Sequence, residues 1–238
     1  MNPRNVSELY PFAIYAIYAV AIGFSFTTAG SVLMPIERAF TSFNGAFNAL
    51  ALSLAYVVTI SGLIGYSKSI AARPHSDNKL GNLRFVVDLS IMFLVYYLIS
   101  LTDPTPIDAT SYARFDYYED TFTWVFPAIF GAYFAWDIIK YYEYKNVHQS
   151  EAKTNIQRGT KTLYFLLLFI IQSILYVHVV TPHYYSSLTW DGQNAWPIVF
   201  IFTSGGLVVG YRYSKWHVPR VKKIRAKQGS ARVVTKTQ

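Results

Sequence analysis

The sequence predicts an all-α integral membrane protein: a bundle of six transmembrane helices with both termini cytoplasmic. Three observations predict it. Of 238 residues, 53% are apolar and only 14% are charged, whereas a soluble domain usually carries about 25% charged residues. The apolar residues fall into six runs, at Tyr10–Met34, Ala46–Tyr66, Arg84–Leu101, Thr123–Tyr142, Thr162–Thr181 and Trp196–Tyr213. Each is close to the roughly 20 residues that a helix needs to cross a bilayer. Sorting the connections by side then leaves 19 of the 21 Lys and Arg on one side, with only Arg38 and Arg114 on the other. Basic residues are retained in the cytoplasm, which sets the orientation. A β-barrel needs alternating segments of about ten residues, and these runs do not alternate.

The first run has the outline of a secretory signal, with Arg4 before it and Thr28-Ala29-Gly30 at its far end. Its length and Glu8 in the lead-in argue for retention in the mature chain. Ala19, Gly23, Thr27 and Ser31 recur every four residues, and Ser61/Gly65, Ala128/Ala132, Gly131/Ala135 and Gly206/Gly210 repeat that spacing. Such stripes predict close helix packing, within a bundle or between copies of a homo-oligomer.

The third and fourth runs carry charge inside the apolar span. Asp88 lies four residues after Arg84, and Asp137 lies three before Lys140. Both acids therefore fall at similar depth near the cytoplasmic face, each with a base one turn away on its own helix. Acids at such depth mark proton or cation paths when functional. As structural groups they would pair with those bases and pin two helices together. Between these runs, Asp103, Asp108, Asp116, Glu119 and Asp120 make the outer loop acidic, with Arg114 alone against them.

Gln172 stands near the middle of the otherwise apolar fifth run. It either faces a polar path or bonds across a helix interface. The hydroxyls of Ser25, Thr27, Thr28, Ser53, Thr59, Ser173, Thr203 and Ser204 lie at comparable depth. Their expected partners are carbonyls of the preceding turn. His178 and His183, near Asp191, are weak candidates for a metal site at the outer boundary. In the sixth run Gly205-Gly206 permits a bend. Val209-Gly210-Tyr211 echoes a potassium-channel filter, but Arg212 replaces the closing glycine.

Residues 1–213 thus form the membrane domain, and residues 214–238 a basic cytoplasmic tail. Arg220, Lys222, Lys223, Arg225 and Lys227 follow directly on a helix end. They suit anionic lipid headgroups or a partner, with little fixed structure expected beyond Lys227. The net charge of +8 invites a nucleic-acid reading, but its placement beside membrane helices disfavours one. The chain has no cysteine, which excludes disulfides, thiolate chemistry and cysteine-ligated metals. No HExxH, GxSxG or phosphate-binding glycine motif marks an enzyme, and no cofactor is implied. The leading expectation is a channel or transporter for an ion or small solute in a prokaryotic cell membrane. Asp88, Asp137, Arg84, Lys140 and Gln172 are its candidate site residues. The alternative is a non-catalytic subunit or anchor of a membrane complex.

Overall fold

The computed structural model describes residues 6–33, 43–72, 75, 78–102, 114–145, 149–190 and 192–234. Its long helices are α1 (Val6–Leu33), α2 (Phe43–Ala72), α3 (Lys79–Ser100), α4 (Arg114–Tyr144) and α5 (Gln149–Leu175). A π-helical turn (Tyr176–Val180) and the short α6 (Thr181–Tyr184) prolong α5. A hairpin of β1 (Thr189–Trp190) and β2 (Gln193–Asn194) then leads into α7 (Trp196–Val234). Among the described residues, five helical stretches are long and apolar enough to cross a membrane: Leu9–Thr28, Gly45–Ala71, Lys79–Ser100, Thr121–Tyr144 and Thr154–Tyr184.

Burial departs from that of a soluble protein in two respects. Phe12, Phe26 and Phe93 are 72%, 67% and 64% exposed, while Arg84, Asp137 and Lys140 are at most 5% exposed. Large apolar side chains facing outward, with charge enclosed at one end of an apolar core, are consistent with lipid tails outside.

Successive helices run antiparallel. Helices α2, α3, α4, α5 and α7 pack in sequence around a ring that closes between α7 and α2, and α1 lies against α2 and α3. The starts of α1, α3 and α5 therefore meet the ends of α2, α4 and the apolar part of α7. Tyr10 of α1, for instance, stacks on Phe85 of α3 at 4.2 Å. Away from that end the interior is filled by Leu98, Ile99, Phe122, Phe126, Phe130 and Phe169, none above 2% exposed. Phe126 stacks on Phe169 at 5.7 Å, and Phe130 lies 4.4 Å from it.

Pro127 sits inside α4 and has no N–H to donate to the carbonyl of Thr123. Ser173 of α5 fills that position, its hydroxyl donating to Thr123 O at 2.9 Å in a buried site. A break in one helix is thus repaired by its neighbour, as a medium without water requires. In α3, Asn78 caps the N-terminus by accepting from Gly81 N at 2.8 Å. At the start of α7, Asn194 accepts from Trp196 N at 3.1 Å. Gly192 takes φ 76° in the hairpin turn, a left-handed conformation that glycine adopts without strain.

Two expectations need correction and a third is narrowed. The helices outrun the apolar runs: α4 begins at Arg114 and α5 at Gln149; the lead-in of α5 carries Gln149, Glu151, Ala152 and Lys153, which have good helix propensity. The backbone stays helical to Val234, well past Lys227, for the same reason: Arg, Lys, Ala and Gln are strong helix formers. The small-residue stripe Ala19, Gly23, Thr27 faces outward, and a Cβ added at Gly23, Gly131 or Gly206 would meet nothing within 4 Å. Those small residues do not bring two helices of this chain together, whereas Gly210 of the same spacing does, a Cβ there lying 3.4 Å from Phe165. So does Gly62: a Cβ there would lie 2.9 Å from the Tyr133 hydroxyl and 3.1 Å from that of Tyr18.

Candidate functional site

A cavity of about 220 Å³ lies where the starts of α1, α3 and α5 meet the ends of α2, α4 and the apolar part of α7. All six long helices contribute to its wall. Five bases (Lys68, Lys140, Arg158, Arg212 and Lys215) and two acids (Asp88 and Asp137) line it, among aromatic faces from Tyr18, Tyr66, Tyr133, Trp136 and Tyr211. The residues converge because each helix places polar groups one to two turns inside the same end.

The structure brings Asp88, Asp137 and Lys140 together in this wall, with partners other than those the spacing suggests. Asp88 bonds His75 Nε2 at 2.9 Å. Arg84 pairs with Glu143 and also donates to the Tyr144 hydroxyl at 2.9 Å. Asp137 Oδ2 accepts from Lys215 Nζ at 2.8 Å and from the Thr162 hydroxyl. Lys140 donates to Ser69 Oγ and lies 4.6 Å over the Trp136 ring. The expected same-helix pairs are replaced by cross-helix pairs, because a buried charge is best satisfied by a partner that enters the interior from another element. The result joins α3 to α4, and α4 to both α5 and α7.

Arg212 has a different environment. Its Nε donates to Ser61 Oγ and its Nη2 to the Tyr133 hydroxyl, both at 3.1 Å. Its guanidinium carbon lies 5.3 Å from the Tyr133 ring centre and 5.3 Å from that of Tyr211. A Cβ at Gly65 would come within 3.1 Å of Nη1, so the glycine makes room for this side chain. Among the described residues no carboxylate lies at ion-pair distance from Arg212, Lys140 or Arg158. Burial alone would lower the pKa of Lys215, but Tyr211 and Asp137 reverse this and hold it above the ordinary lysine value.

Gln172 lies apart from this cavity, on the α5–α7 interface. Its Nε2 reaches Thr203 Oγ1 at 2.7 Å, Ser204 Oγ at 2.9 Å and Phe200 O at 3.2 Å. Ser25, Thr27, Thr28, Ser53, Thr59 and Thr203 all donate to carbonyls three or four residues back. His183 Nδ1 contacts Val179 O at 3.2 Å. Among the described residues no group of three or more His, Asp or Glu could hold a metal ion. Asp191 and the loop acids Asp103 and Asp108 lie outside the described residues, as do the side chains of Asp116, Glu119 and Asp120. So do the side chains of Arg220, Lys222, Lys223, Arg225 and Lys227, although α7 carries their backbone.

Several wall residues escape the sequence reading. There Arg212 only breaks a filter-like triplet at the end of the sixth run, and Lys215 falls in the basic tail. Their signal is periodic: Ser204, Val208, Tyr211 and Lys215 continue one face, and the first three are buried. His75 lies outside the helices, and Glu143 near the end of α4, so no spacing rule ties either to its partner. Comparison with protein-family models, with characterised proteins and with solved structures finds no match.

Proposed function

We propose that this protein moves an ion or small solute across a cell membrane. In this reading the apolar part of α7 is a sixth span, both termini face the cytoplasm, and the charged cavity opens on that side. The observation that carries it is the cavity itself. A space of about 220 Å³ ringed by charge inside an apolar bundle is costly to maintain and serves no packing purpose. Toward the other end the Phe126–Phe169 layer closes the interior, as expected of a carrier resting with one side shut. Asp88, Asp137 and Lys140 lie in the solute's path, Arg84 holds α3 to α4, and Gln172 couples α5 to α7. The basic tail rests on anionic headgroups, and the outward stripe around Gly23 is where a second copy would pack.

The test is solute flux into liposomes containing the purified chain. Asp137→Asn removes a negative charge from the wall and weakens the tie to Lys215, and it should lower flux at least tenfold. Flux unaffected by both Asp88→Asn and Asp137→Asn would overturn the reading.

One observation favours a second reading, a subunit or anchor: α7 continues as a helix for 19 residues past Lys215 to Val234. A stoichiometric partner that co-purifies with the full chain and is lost on truncation after Lys215 would support it.

A further inference from the structure

Resting on the solute-carrying reading above, we propose that the cavity binds a small oxyanion, a carboxylate or phosphate group, with Arg212 as its main contact and Lys140 beside it. The argument is one of charge balance. Both acids in the wall already have a cation or donor, Asp88 in His75 and Asp137, through Oδ2, in Lys215 and Thr162. Arg212, Lys140 and Arg158 have no carboxylate partner among the described residues. A guanidinium does not lose its proton in a protein. Arg212 therefore keeps its charge inside an apolar bundle with two neutral hydroxyls and two ring faces for company. Arg212 is half-buried, and ring faces and neutral hydroxyls offset only part of the cost of withdrawing its charge from water. An anion supplies the remainder.

Hydrogen-bonding capacity points the same way. Tyr66 carries a hydroxyl and Trp136 an indole N–H that are buried without a partner among the described residues. The indole can only donate. Asp137 Oδ1 is the wall's unpartnered acceptor among the described residues, but five bases stand there against two acids, a balance that favours an oxyanion over a metal ion or ammonium. Arginine's planar fork suits carboxylate and phosphate geometry. The volume, below the roughly 300 Å³ at which drug-sized sites begin, limits the occupant to a small solute or one headgroup. The inference differs from the cation path that the acids and the outer loop suggest in sequence.

The test uses the full chain in phosphatidylcholine nanodiscs, unfolded thermally in sodium phosphate or sodium succinate and in sodium chloride of equal ionic strength. Phosphate or succinate should raise Tm saturably above chloride, and the apparent affinity should fall at least tenfold in Arg212→Gln. Lys140→Gln gives the same reading if Arg212→Gln does not fold, and the salt comparison on the wild-type chain decides if neither does. If the natural source is a lipid, nanodiscs containing phosphatidylglycerol should give the same Arg212-dependent rise and abolish the response to free phosphate. An anion response equal in Arg212→Gln and wild type, or no rise of Tm above chloride in the wild-type chain, would overturn the proposal. Anion binding without flux would leave this site standing and remove the transport reading, whereas cation flux without an anion response would do the reverse.

Discussion

Arg84 and Glu143 have side chains at most 1% exposed, and each holds the other's charge in a medium without water. Removing one strands the other, which in buried pairs costs about 3–5 kcal/mol. Arg84→Gln should therefore lower unfolding stability in detergent by about that amount. Adding Glu143→Gln should return at least about 1 kcal/mol, since the stranded carboxylate is gone. Strictly additive losses would show that the pair is not coupled. The same logic separates Arg212 from Arg84: Arg84 is fully buried and has a carboxylate, whereas Arg212 is half-buried and has two hydroxyls and two rings. That difference is invisible in sequence, where Arg212 is one base among nine near the carboxyl end. The acids themselves were legible, because a carboxylate inside an apolar run is conspicuous. Their partners were not, because His75 and Lys215 reach them through the folded interior, across 13 and 78 positions.

The helices were legible for a different reason. In lipid a span must satisfy its own backbone, so an apolar run of sufficient length can hardly be anything but helix. Their ends were not, since nothing apolar marks Arg114 or Gln149 as helical. Nor was the exchange between α4 and α5 at Pro127. Ser173 counts in sequence as one more hydroxyl expected to bond its own helix, yet it donates to Thr123 O across the interface. Ser173→Ala should cost about 1–3 kcal/mol by removing the donor that α5 supplies to that carbonyl. In a Pro127→Ala background, where α4 regains its own N–H, the same substitution should cost less than about 0.5 kcal/mol. Equal penalties in both backgrounds, measured by thermal unfolding, would rule out the repair. The π-helical turn at Tyr176–Val180 is a second local departure, placed just before Pro182. There Thr181 N bonds Tyr176 O and its hydroxyl reaches the same oxygen at 3.1 Å.

At the scale of the molecule, a ring of antiparallel helices is packed with phenylalanine toward one end and holds a charged cavity at the other. Its outer surface is apolar, and five of its helices are long and apolar enough to span a bilayer. The account depends on α7 crossing as well, so that the cavity and both termini face one compartment. The cysteine-free chain makes that testable, because any introduced thiol is the only one. Three single variants suffice: Gln193→Cys in the exposed hairpin, Lys145→Cys at the exposed end of α4, and Gln238→Cys at the carboxyl end. Intact cells are treated with a membrane-impermeant maleimide, before and after permeabilisation. The account predicts that Gln193→Cys labels at once, and that Lys145→Cys and Gln238→Cys label only once the membrane is opened. Labelling of Gln193→Cys and Gln238→Cys from the same side would mean that α7 does not cross, and would contradict the account at its base.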